Sequence, residues 1–173
     1  IKDKKLRKTL ENSIEYILAL LRQLDEKKRK QLYKEETYRV IILYITAAIE
    51  AIFLYLYKER KEKIEYLEYK FVKSLPSDYF HKQKNGSPVI IAVQEKIEKK
   101  EHQIGLYELV VLFKGKKLIQ EKTATDILEL NDVRNTFHFS KPRTKNCDLR
   151  RVESALNILV RTIEKAPAVL KIK

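Results

Sequence analysis

Residues 40–57 read VIILYITAAIEAIFLYLY, a run that is apolar almost all the way round a helix and carries one charge, Glu50. A helix built from such a run has to be covered on nearly every side, by neighbouring helices, by a second copy or by lipid. Length alone permits all three, because about 17 to 25 apolar residues span a bilayer. A carboxylate near the middle of the run, the lack of a second run like it, and the one-sided apolar faces elsewhere in the chain favour a central bundle helix, with no membrane partner. A lone carboxylate on an apolar helix costs several kcal/mol unless it is paired. Glu50 is therefore expected either to meet a cation or donor inside the fold, Arg134 being one candidate, or to reach solvent along a seam.

The rest of the chain supplies helices to surround this one. Between Lys4 and about Lys30, Leu6, Leu10, Ile14, Ile17, Leu21 and Leu24 recur at steps of three and four, marking one amphipathic face. Ile64, Leu67 and Phe71 keep helical spacing through Lys58–Lys73, so the first two helices are expected to form a long hairpin reaching that far. Residues 74–88 hold Pro76, Asn85-Gly86 and Pro88 and read as the one long loop. A helix is predicted from Pro88 to about Gln103, and Gly105 separates it from the apolar LYELVVLF. Lys114-Gly115-Lys116-Lys117 marks the next turn. Thr123 or Thr125 is the expected cap of a helix holding Ile127, Leu128, Leu130 and Val133, and Asp148 the cap of a closing helix ended by Pro167. With only three Gly and four Pro to interrupt it, the chain is assigned to the all-α class, a single up-and-down bundle over 1–173. The sequence contains no Met, so Ile1 is not read as an encoded start, which leaves room for a longer product of which this chain is a fragment.

Lys and Arg outnumber Asp and Glu by 37 to 24, a formal charge of +13. An excess of this size points to an anionic partner, nucleic acid first and anionic membrane second, with a heavily solvated, thermophile-type surface as the bland alternative. One cysteine, Cys147, allows no intramolecular disulfide and makes the cytoplasm the default location. His81, His102 and His138 are far apart in sequence, no metal-ligand spacing occurs, and no phosphate loop is present, so neither a metal nor a cofactor is expected.

The candidate chemistry lies in Asn131-Asp132-Val133-Arg134-Asn135-Thr136-Phe137-His138. On a continuous helix Arg134 and His138 stand at i and i+4 and face the same space. An imidazole can take a proton from a ribose 2′-hydroxyl or give one to the leaving oxygen, and a guanidinium can hold the phosphate through two parallel hydrogen bonds. By spacing alone the pair also fits an ordinary Arg/His helix face with Phe137 and Phe139 in the core. Basic residues near the motif, Lys141, Arg143 and Lys145, and those of the long loop, Lys82 and Lys84 beside Tyr79 and Phe80, are candidate RNA contacts.

An Arg followed by Asn with a His shortly after, at the end of a late helix and before a closing one, resembles the HEPN superfamily. The long first hairpin with its apolar second helix is similar to the start of many such domains. The resemblance implies a small helical bundle acting as a metal-independent endoribonuclease, with the motifs of a homodimer meeting in a shared cleft. On that reading His138 is the acid/base, Arg134 the phosphate ligand and Asn135 a positioning residue, in defence or a toxin–antitoxin pair, with an antitoxin or a regulatory domain as further partner. Three residues separate Arg134 from His138, one fewer than the family's usual minimum, which on a regular helix turns the His by roughly 100°. A HEPN-like module that binds nucleic acid or protein without cutting, and a helical structural or membrane-associated protein, are the alternatives.

Overall fold

A computed structural model describes residues 1–25, 30–74, 90–136 and 147–171. Among these residues five α-helices dominate: α1 (Lys4–Asp25), α2 (Gln31–Glu59), α3 (Leu106–Gly115), α4 (Glu121–Asn135) and α5 (Leu149–Lys171). Between α2 and α3 in sequence come β1 (Glu65–Ser74), β2 (Ile90–Glu98) and a single 3-10 turn, Glu101–Gln103. The chain divides into two compact units, a helical one from Ile1–Glu62 and Gly105–Lys173, and a ribbon from Lys63–Ile104.

The helical unit is an all-α bundle built on α2. At about 1.5 Å per residue its 29 residues make a rod of about 43 Å, and α1, α3, α4 and α5 all pack on it. Ile41, Ile42, Ile45, Ile49 and Ile52 are fully buried along the rod, which explains the apolar run without lipid. By length and composition α2 would also qualify to span a bilayer, but 61% of its most apolar stretch is buried by protein. Opposite this core face, Val40, Leu43 and Tyr44 stay exposed. Each surrounding helix contributes buried side chains: Ile17 from α1, Phe113 from α3, Ile127 from α4, and Val152 and Ala155 from α5. Phe53 and Phe113 meet edge to face with ring centres 5.2 Å apart, the arrangement that the ring quadrupoles favour.

The expectation of one helix through Lys73 fails at Arg60. The backbone turns left-handed at Lys61, φ 53°, and the N–H groups of Lys61 and Glu62 close back on the carbonyls of Lys58 and Tyr57, ending α2 in a tight reversal. Beyond it, residues 65–74 form a strand. Tyr66, Leu67, Tyr69, Phe71 and Val72 are the dense aromatic and apolar residues that strands prefer, and Ile64, Leu67 and Phe71 happened also to satisfy the helical period. The helix expected after Pro88 is likewise β2, whose sequence IIAVQEKIE is rich in β-branched residues. The two strands pair antiparallel from Glu65 opposite Glu98 to Ser74 opposite Ile90, with a bulge between Phe71 and Lys73.

Two helix ends also differ from expectation. Helix α4 begins at Glu121 after Gln120 with no side-chain cap, and Thr125 sits inside it, donating to the Glu121 carbonyl. Pro167 lies within α5 and does not end it. Its missing N–H and ring clash cost about 3 kcal/mol in a helix interior. Burial of Ala166 and Val169 in the final turns and the Arg60 guanidinium, which donates to the Val169 carbonyl at 2.8 Å, offset that cost. Asp148 does cap α5, its carboxylate accepting the Arg151 N–H at 2.9 Å.

Candidate functional site

The bundle packs α3 and α4 against α2 and against each other, and this brings Glu50 to the meeting point of three helices. One carboxylate oxygen accepts the backbone N–H of Leu106 at 3.0 Å. That N–H belongs to the first turn of α3, where helix geometry leaves donors without intrahelical partners and the helix dipole favours an anion. Glu108 takes the preceding Gly105 N–H at 3.1 Å, so two carboxylates hold the start of α3. The other Glu50 oxygen accepts from the Arg134 guanidinium at 2.6 Å, a charge-assisted contact of the short, strong kind.

Neither partner is sealed from water. The Arg134 side chain is 33% and that of Glu50 24% exposed. Both open on a cleft of about 550 Å³, which Asn131, Asn135, Leu43 and Tyr107 also line. Asn131, Arg134 and Asn135 share one face of α4 at spacings of three and four, so one helix supplies a cation and two amides to the same space. Tyr107 stands at the rim, 60% exposed. One nitrogen of the guanidinium serves Glu50, and the group carries five N–H donors in all, so its fork can hold a carboxylate and an anion in the cleft together.

Helix α4 ends at Asn135, with Thr136 as its C-cap and the Thr136 hydroxyl donating to the Val133 carbonyl at 2.7 Å. His138, Lys141, Arg143 and Lys145 lie outside the described residues, as do Lys82 and Lys84 of the long loop. Cys147 is 1% exposed, and burial pushes its thiol up from the usual range, with Arg39 and Arg151 only partly offsetting this. It is no nucleophile in this state.

The structure thus brings together Glu50, Arg134 and Asn135 from the sequence candidates, and adds three groups that sequence reasoning missed. Asn131 was legible in principle as a polar residue one turn before Arg134. The Leu106 N–H had a weaker signal, the Gly105 that precedes α3, and Tyr107 had none. No family model, curated protein or solved structure matches the chain.

Proposed function

We propose that the chain is a metal-independent endoribonuclease of HEPN type, cutting single-stranded RNA at a cleft shared across a homodimer. The observation that supports this reading is the Glu50–Arg134 pair, which fixes a permanent cation at the mouth of an open cleft beside Asn131 and Asn135. A guanidinium held in this way meets a phosphodiester without first having to order a long side chain.

In the proposed reaction the 2′-oxygen loses its proton to a neutral imidazole and bonds to phosphorus. The bond from phosphorus to the 5′-oxygen breaks, and that oxygen takes a proton from an imidazolium. The products are a 2′,3′-cyclic phosphate and a 5′-hydroxyl. His138 follows Thr136 by two residues in the chain and is assigned the acid/base role; Arg134 binds the phosphate, and Asn135 positions it. Lys141, Arg143, Lys145, Lys82 and Lys84 are assigned to the RNA strand, whose binding should weaken as salt rises. The same reading carries a role in defence or a toxin–antitoxin pair, with an antitoxin or a regulatory domain as protein partner.

The ion pair favours one other reading. Glu50 already neutralises Arg134, so Arg134 serves equally as a strut joining α2 to α4 in a HEPN-like module that binds without cutting. Incubating labelled RNA with the protein in EDTA separates the two. Cleavage by wild type that His138→Ala and Arg134→Ala each abolish supports the nuclease. An intact substrate, or cutting unaffected by His138→Ala, leaves the binding module.

A further inference from the structure

Laid antiparallel on a second copy of itself, strand β1 is its own complement. Residues 65–73 read Glu-Tyr-Leu-Glu-Tyr-Lys-Phe-Val-Lys, so every acid has a base at the mirrored position about Tyr69, and every apolar residue an apolar one. One edge of β1 pairs with β2, and among the described residues no third strand joins the sheet. The Lys99 N–H donates to the Ile64 carbonyl at 2.8 Å. Backbone groups alternate between the two edges along a strand, so Tyr66, Glu68 and Lys70 address β2 while Leu67, Tyr69 and Phe71 turn theirs to the open edge. No partner for these edge groups occurs among the described residues. The same three side chains lie on one face of the ribbon and are 55%, 71% and 59% exposed. A two-stranded ribbon is marginal in water and an open apolar edge is a template for another strand.

We infer that two copies of the chain join through β1, antiparallel about a two-fold axis at Tyr69, to make a four-stranded sheet in the order β2-β1-β1-β2. Tyr69 lies opposite the partner's Tyr69, Leu67 opposite the partner's Phe71, and Glu68 opposite the partner's Lys70. The bulge after Phe71 ends regular pairing there, and the two-fold at Tyr69 then sets its other end at Leu67. Glu68 explains the choice of partner. Inside one ribbon its cross-strand neighbour is Glu95, a like charge, while Lys70 reaches Glu95 diagonally at 3.7 Å. Glu68 has no ion pair among the described residues. The two-fold pairing gives it a cation on its other side, and symmetry does so twice. On the edge of β2 the comparable centre is Ile97, where Lys96 would meet Glu98 and Glu95 would meet Lys99, but it stands one residue from the end of that strand at Glu98, whereas Tyr69 stands in the middle of β1. This interface is separate from the shared cleft and does not rest on the nuclease reading.

A cysteine at the axis tests it in the full chain. In a hydrogen-bonded antiparallel pair the Cα atoms are about 5.5 Å apart, inside the range of about 4.4–6.8 Å that a disulfide needs. Tyr69→Cys is expected to form a covalent dimer under mild oxidation far faster than Val160→Cys, a control on α5 that is 50% exposed. Wild type, whose one cysteine is buried, forms none. Adding Glu68→Lys to Tyr69→Cys sets like charges opposite each other twice and weakens self-association by roughly tenfold or more; adding Lys70→Glu as well restores the cross-link. Because Glu68→Lys relieves the repulsion from Glu95, an unstable ribbon would show the opposite trend. Cross-linking of Tyr69→Cys no faster than the control, no loss on Glu68→Lys, or no recovery in the triple variant overturns the inference, with the RNA assay untouched.

Discussion

Replacing Glu50 with Ala removes two contacts at once, and the structure allows each to be sized. The bond to Arg134 at 2.6 Å is charge-assisted, a class worth about 1.5–3 kcal/mol net. With the Arg134 side chain a third exposed, water recovers part of that on deletion, so the lower end applies, about 1.5 kcal/mol. The Leu106 N–H at the start of α3 loses its acceptor, about another 1 kcal/mol together with the helix-dipole interaction. Glu50→Ala is therefore expected to cost about 2–3 kcal/mol, and Glu50→Gln, which keeps an acceptor for Leu106, about 1 kcal/mol. For a chain of this size each kcal/mol moves the midpoint by about 2–4 °C, giving a fall of roughly 4–12 °C for Glu50→Ala. The assay is urea unfolding followed by the helical signal for Glu50→Ala, Arg134→Ala and the double variant. A coupling energy of about 1 kcal/mol is expected between the two positions. Additive single effects, or Glu50→Gln as damaging as Glu50→Ala, would refute the assignment of Glu50 as the ionic anchor of Arg134.

Three further outcomes follow from the packing. Phe113→Ala, at a fully buried ring against Phe53, should destabilise the helical unit by about 3–5 kcal/mol in the same unfolding assay. Burial pushes the Glu62 carboxyl up, but hydrogen bonds and charge from Lys116 and Arg60 outweigh that and hold it below its usual 4.5. A depressed carboxylate contributes stability that is present above 4.5 and lost as the pH falls through the lowered value, so Glu62→Gln should flatten the acid limb of stability against pH without changing its shape near neutrality. Cys147, buried with its thiol pushed up, should react with a disulfide reagent at least about 100-fold more slowly in native protein than in denaturant, because access requires opening.

The central helix was legible because a long apolar run needs cover on nearly every side and the one-sided apolar faces elsewhere in the chain could supply it, and the closing helix because Asp148 caps it with an aspartate ahead of a regular apolar stripe. The ribbon was not. Ile64, Leu67 and Phe71 fit a 3.6-residue period by coincidence, while the aromatic and β-branched density around them, with Asn85-Gly86 between the two stretches in sequence, was the signal that told strand from helix. Pro167 misled because the packing of Ala166 and Val169 that carries α5 past it is tertiary. At the site, the isolation of Glu50 on an apolar helix announced a buried need, and Arg134 was nameable as one way of meeting it. The Leu106 N–H was not nameable, since a backbone donor leaves no mark on the sequence, and which helices converge on Glu50 is decided by packing.

The most direct test of the proposed function is the chemistry of the RNA ends after incubation in EDTA. In-line attack by the 2′-hydroxyl with Arg134 on the phosphate and His138 moving the proton predicts 2′,3′-cyclic phosphate and 5′-hydroxyl ends, formed by wild type and lost in His138→Ala. Uncut RNA, or products ending in 3′-hydroxyl and 5′-phosphate, would contradict it.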